Sequence, residues 1–265
     1  MAQTPLVIIV TVFWVCYIYA NDTIIFDTYP PLTYINSKTG KVDGPIAQLI
    51  KEANQNIKQK IEIQLHPTLR MFKNLKNHST HAAFGMSYRA ERARKWYYSY
   101  PINYVNYSIY VNKTNPLKYS KREQLEGYTV ATWGPTNMSK TLSSFAELIP
   151  NLTIKIFPEY KNVYKMLDNG RFGEKGAIYA PDSNAELSIR KELLSNIRFS
   201  GVDKKNIYYI VFVKDITPKS YIYKFNEAIL NLYKNGRMSE IYSSFSKQGI
   251  IAKVPSKDDF RILSQ

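Results

Sequence analysis

Two hydrophobic spacings take turns along residues 23–246. Thr23–Asp27 and Ile61–Leu65 read as strands, and the apolar runs His81–Tyr88 and Ile102–Val111 are strand-like as well. Between them, Ile46, Leu49, Ile50, Ala53 and Ile57 fall at helical spacing behind Gly44-Pro45, which opens that helix. Pro67 starts a second helix with Leu69, Phe72 and Leu75 on one face. After Asn115-Pro116 the alternation restarts. Tyr128–Thr132, Thr153–Phe157, Gly176–Ala180 and Ile207–Val213 are expected as strands, with helices among them. Two helices close the chain, about Pro218–Asn235 and Arg237–Phe245, separated by Asn235-Gly236 as a left-handed stop. Strands alternating with helices predict an α/β fold with mostly parallel sheets. The 265 residues suffice for one large domain or two small ones.

The N-terminus stands outside this pattern. Residues 1–20, MAQTPLVIIVTVFWVCYIYA, carry no charged side chain. The apolar stretch Leu6–Tyr19 is short for a membrane span and suits a signal-peptide core ending at Ala20. An uncleaved anchor is the alternative. Cys16, the single cysteine, lies inside this segment. The mature chain, 21–265, would then have neither disulfide nor thiol chemistry. The expectation is an exported, periplasmic protein.

Charge changes the picture little. Lys and Arg number 36 against 21 Asp and Glu, a net +15. Nucleic acid or an anionic surface would fit such an excess. The lysines are scattered rather than grouped, however, so a solvated basic surface is expected and no nucleic-acid partner.

Chemistry-bearing motifs are mostly missing. There is no glycine-rich phosphate loop, no Gly-x-Ser-x-Gly elbow and no zinc spacing among His66, His78 and His81. The histidines read as surface residues, and no metal, cofactor or catalytic residue is expected. One stretch does demand an account: GMSYRAERARKWYYSYP, residues 85–101, where Arg89, Arg92, Arg94 and Lys95 crowd behind the apolar run AAFGM. A solvated charged face, with Arg92 paired to Glu91, is one reading. The other is a clamp for a carboxylate, because a guanidinium offers a planar two-pronged fork that lysine lacks.

Three stretches together resemble a known family. They are Tyr29-Pro30-Pro31-Leu32 with Gly40-Lys41-Val42-Asp43-Gly44; Gly85, Ser87, Glu91 and Arg92 with Tyr98-Ser99-Tyr100-Pro101; and Asn226-Glu227-Ala228-Ile229, Gly236 and Ile241-Tyr242-Ser243-Ser244-Phe245. In that order they resemble the periplasmic solute-binding proteins of family 3, which feed polar amino acids to ABC transporters. The resemblance covers nearly all of residues 22–246. It implies two α/β lobes of the type II periplasmic-binding-protein fold, with two mostly parallel sheets joined by two crossover strands. Lobe one would comprise 21–107 and 211–265, and lobe two 108–210.

The implied function is non-catalytic capture of a small carboxylate-bearing solute between closing lobes, for delivery to an ABC permease by a monomer. A ligand sensor for a membrane receptor, or an enzyme resembling cyclohexadienyl dehydratases, are the alternatives. For the enzyme, Glu91 and Asp182 are the nearest acid–base candidates. The resemblance assigns the fork to Arg92, the hydroxyl to Ser87, an acceptor carbonyl to Gly85 and an apolar lid to Tyr29. Asp27, Thr136, Asp182 and Arg70 complete the implied ligand-binding set. Arg94, Lys95 and Arg89 are expected on a solvated face, and Trp96, Tyr97 and Tyr98 in packing.

Departures from the family pattern bear on the ligand. Arg89 replaces a threonine. Pro181 falls where relatives place an aspartate for the ligand ammonium, and Asp182 follows one residue late. Pro135 removes a donor N–H from the lobe-two loop. Thr68 stands where many relatives have an aromatic platform. Either Asp182 takes the ammonium by a shifted turn, or the ligand is not an ordinary α-amino acid.

Overall fold

The computed structural model describes residues 23–261, so the expected signal segment lies outside them. The first part of the chain forms strands β1 (Ile24–Thr28), β2 (Tyr34–Ile35) and β3 (Val42–Asp43), helix α1 (Pro45–Asn56), β4 (Ile61–Leu65), α2 (Thr68–Lys76), β5 (Ala82–Met86), α3 (Ala90–Ala93), β6 (Trp96–Tyr98) and β7 (Asn103–Asn112). There follow β8 (Thr129–Trp133), α4 (Asn137–Ala146), β9 (Thr153–Phe157), α5 (Tyr160–Asp168), β10 (Gly176–Pro181) and α6 (Asp182–Lys191). The long β11 (Ile197–Val213) leads into α7 (Lys219–Lys234), α8 (Arg237–Ser246) and α9 (Lys257–Arg261).

The sheet runs β4-β1-β5-β11-β7-β10-β8-β9, with β6 also on β11. Its two ends, β4-β1-β5 and β10-β8-β9, are parallel. The strands joining them, β7 and β11, are antiparallel to each other and to their outer neighbours. β11 follows β7 from Ile197 to Tyr208, then passes to β5 and β6 from Tyr209 onward. The expected two mostly parallel sheets joined by two crossover strands are therefore present.

Each half-sheet is covered on both faces, as parallel sheets require. In the first lobe, Phe26, Phe212 and Phe225 meet Leu49 and Ile50 of α1 on one face. Met71, Leu75, Ala83 and Trp96 close the other. In the second lobe, Tyr107, Leu142, Phe145 and Tyr179 form one layer, and Val163, Tyr164, Leu167 and Ile178 the other. Gly44 permits the entry to α1: its φ is +116°, and a Cβ there would lie 2.5 Å from the Leu32 carbonyl oxygen. Gly236, at φ +82°, makes the expected left-handed break before α8.

The structure departs from the sequence reading in places with physical causes. β11 begins at Ile197 rather than Ile207. Its register shifts near Gly201 and Val202 break the alternation that would have marked it. At Gly201 a Cβ would sit 1.9 Å from the Tyr119 carbonyl oxygen, so only glycine fits this bulge. Of the face expected on α2, Leu75 is buried, but Leu69 is exposed and Met71 is buried in its place. His66 and His81 are not plain surface residues. Nδ1 of His66 lies 3.0 Å from buried Asp27, and Nδ1 of His81 accepts from the Ile25 N–H.

Candidate functional site

A cleft between the lobes collects the carboxyl ends of the parallel strands, where open α/β sheets place their ligands. Tyr29 follows β1, Thr68 opens the helix after β4, and Ser87 follows β5. From the second lobe come Trp133 at the end of β8, Thr136 and Asn137 at the start of α4, and Asn184 in the first turn of α6. Tyr107 and Tyr208 rise from the crossover strands. The space amounts to about 580 Å³, part of it open to solvent.

Arg92 and Ser87 dominate one wall. The Arg92 guanidinium donates to the Ser87 carbonyl at 3.3 Å and lies over the Phe72 ring, 5.5 Å from its centroid. No carboxylate among the described residues pairs with it. Glu91, the alternative partner, is mostly exposed and lies 3.3 Å from Arg89 instead. Burial pushes the Arg92 pKa down, yet a guanidinium stays protonated. The result is a half-buried positive charge without a counter-charge. Beside it, the Ser87 hydroxyl is buried and, among the described residues, has no hydrogen-bond partner. Unsatisfied buried polar groups are rare enough in folded proteins to require an explanation.

Gly85 and Tyr29 form a fitted pair. Gly85 has φ +93°, and a Cβ there would come within 2.2 Å of the Tyr29 ring. The Tyr29 ring therefore lies flat against the strand end, stacked on Phe84 at 6.1 Å. Its hydroxyl faces Tyr208, which approaches the Tyr107 hydroxyl at 3.4 Å, and Tyr107 in turn lies near Asn137. Asn137 Oδ1 accepts from Arg89 Nε at 2.7 Å and from its Nη2. A string of polar side chains thus runs from the first lobe through both crossover strands to the second lobe and back. Burial raises the pKa values of all three tyrosines, so they remain neutral. Arg89 was expected on a solvated face; its bonds to Asn137 instead bring it across the cleft mouth, while Arg94 and Lys95 are exposed.

Thr136 lines the cleft, though its hydroxyl also accepts from the Ser139 N–H as the cap of α4. Three residues of the sequence-derived set lie elsewhere. Asp27 is wholly buried behind the strand ends, held by His66 and by Asn74 at 2.7 Å. Arg70 is on the exposed face of α2. Asp182 turns away from the cleft. One oxygen accepts from the N–H groups of Ser183 at 2.8 Å and Asn106 at 3.3 Å, and the other is paired with Lys253. Its neighbours Pro181 and Asn184 are the ones that line the space.

Trp133, Phe72, Tyr107, Tyr208, Asn137 and Asn184 were missed from sequence. For most of these the only signal is position just after or near the end of a strand. Phe72 was read as a core residue of α2, and Trp133 lies one residue past the expected strand.

Comparison with solved structures bears on the fold. The chain superposes on a histidine kinase sensor domain with similarity to periplasmic binding proteins at a TM-score of 0.74 and 20% identity, covering 88% of this chain and 98% of that one. A structure described for glutathione import via GshT and the cystine ABC importer TcyBC of Streptococcus mutans gives a TM-score of 0.74 at 20% identity, covering 89% and 98%. An ancestral arginine-binding protein bound to arginine gives 0.71 at 20% identity, covering 84% and 97%. No curated protein matches the chain. Residues 23–248 match the family model for bacterial extracellular solute-binding proteins, family 3. The chain is a member of the family 3 bacterial extracellular solute-binding proteins.

Proposed function

We propose that this protein captures a small carboxylate-bearing solute between its two lobes without transforming it, and presents it to an ABC permease. The observation that carries this reading is the unpaired guanidinium of Arg92 beside the unpartnered hydroxyl of Ser87 in the cleft. A carboxylate satisfies both at once, through the fork and one further hydrogen bond. Gly85 and Tyr29 shape the adjoining wall. A ligand touching both walls favours the closed arrangement, because only then are all its contacts made.

The lobe boundaries belong to the same reading, at 107/108 and 210/211. The passage of β11 from β7 to β5 between Tyr208 and Tyr209 supports a hinge there. Export by residues 1–20, a periplasmic address and action as a monomer belong to this proposal as well. Catalysis finds little support, since Glu91 is held by Arg89 and Asp182 by Lys253. Ligand sensing for a membrane receptor is the second reading, favoured by the fold shared with a histidine kinase sensor domain.

Thermal unfolding of the purified protein against carboxylates tests the proposal. A ligand that binds only the folded state raises the midpoint. The expected result is a rise with at least one carboxylate and its loss in Arg92→Ala, which removes ~3 kcal/mol or more of binding, over a hundredfold in affinity. An unchanged shift in Arg92→Ala would sink the clamp.

A further inference from the structure

We propose that the cleft selects carboxylates that carry no ammonium group: monocarboxylic acids with an aromatic or branched apolar tail. This rests on the Arg92 clamp and adds which carboxylates it admits.

The argument is one of charge. Among the described residues lining the cleft, Arg92 is the one charged side chain, and none is Asp or Glu. Ser87, Thr68, Thr136, Asn137 and Asn184 are neutral. The first turn of α4, at Asn137 and Met138, turns its positive dipole end toward the same space. The two carboxylates that sequence sets beside the cleft are both engaged elsewhere. Glu91 lies against Arg89, and Asp182 is saturated by Lys253 and two backbone N–H groups. The formal charge carried by the lining side chains is therefore of one sign.

An anion gains from that charge throughout. A zwitterionic amino acid gains at its carboxylate and loses at its ammonium, which would be buried in a positive field without a counter-charge. The Phe72 ring, a possible cation–π seat, already lies under the Arg92 guanidinium. What remains for the rest of the ligand is apolar and aromatic: Tyr29, Met71, Met86, Trp133 and Met138. These suit a flat or branched hydrocarbon tail.

Titration calorimetry with matched pairs decides the matter, using 3-phenylpropionate against phenylalanine, indole-3-propionate against tryptophan, and 4-methylpentanoate against leucine. The expected result is that the acid lacking the amine binds at least about tenfold tighter in one pair or more, with binding lost in Arg92→Ala. Arg92→Lys, which keeps the charge and loses the fork, should weaken it and serves if the alanine variant unfolds. Asn184→Asp, which brings a carboxylate into the cleft, should narrow or reverse the ratio. Amino acids that bind as tightly as their partners in every pair that binds, and lose that binding in Arg92→Ala, would overturn this inference and leave the clamp standing. Binding indifferent to Arg92, or no binding by any member of the panel, would overturn both.

Discussion

Arg92 and Asp182 are both charges withdrawn from water, one on each side of the same cleft, and their surroundings differ completely. Asp182 is 4% exposed and fully engaged, by Lys253 and by the N–H groups of Ser183 and Asn106. Among the described residues, Arg92 has a carbonyl, a sulfur and a ring for company but no anion, and Ser87 next to it makes no hydrogen bond through its hydroxyl. A buried charge that is paired within the chain serves the fold. One left unpaired costs stability, and the cost has a purpose only if something from outside pairs with it. The two walls thus separate residues that hold the molecule in shape from residues that wait for a partner.

Three substitutions sharpen that contrast. The largest change in stability should come from Lys253→Ala, which strands the Asp182 carboxylate; removing one partner of a largely buried pair should lower stability by ~2–3 kcal/mol. Chemical denaturation would measure it, and a loss below the error of the method would mean that Asp182 finds water instead. Ser87→Ala should act oppositely on the two properties. Deleting an unpartnered buried hydroxyl should leave stability unchanged or raise it by up to ~1 kcal/mol, while ligand affinity falls about fivefold. A stability loss would show that the hydroxyl has a structural bond.

The smallest effect belongs to Asp259, whose carboxylate meets Lys205 at 2.8 Å and the Ser256 N–H at 2.7 Å. Burial would raise its pKa, but these bonds outweigh burial and hold it below the usual value. Its contribution is therefore present above the unfolded carboxylate range near ~3.9 and is lost as pH falls through the lower folded value. Asp259→Asn should flatten the acid limb of the stability curve by less than ~1 kcal/mol. Parallel curves for both proteins would contradict this.

How far the sequence led is seen residue by residue. Helix α1 was legible because Gly44-Pro45 and the spacing of Ile46, Leu49, Ile50 and Ala53 are local signals. The same holds for α7 and α8 around Gly236. Tyr29, Gly85, Ser87, Arg92 and Thr136 come together in the cleft because each sits at a strand end or in the turn or short helix that follows, which local motifs mark. Asp182 could not be resolved in the same way. Whether its carboxylate faces the cleft depends on Lys253, a residue from the far end of the chain. Arg89 misled for a similar reason: its partner Asn137 belongs to the other lobe. The bulged half of β11 escaped because a shifted register erases the alternation on which strand recognition depends.

The segment after α8 has a mechanical consequence. Lys253 donates its N–H to Asn103 at 2.7 Å, its carbonyl accepts from the Tyr104 N–H at 3.3 Å, and its side chain holds Asp182. Gly249 lies beneath the Arg190 guanidinium of α6. The lobes are thus fastened by two covalent strands and by a third, noncovalent attachment that runs beside the start of β7. Bodies joined along two adjacent strands are free to twist as well as to bend. The attachment beside β7 adds the Lys253–Asp182 pair to what any relative movement of the two half-sheets must carry or break.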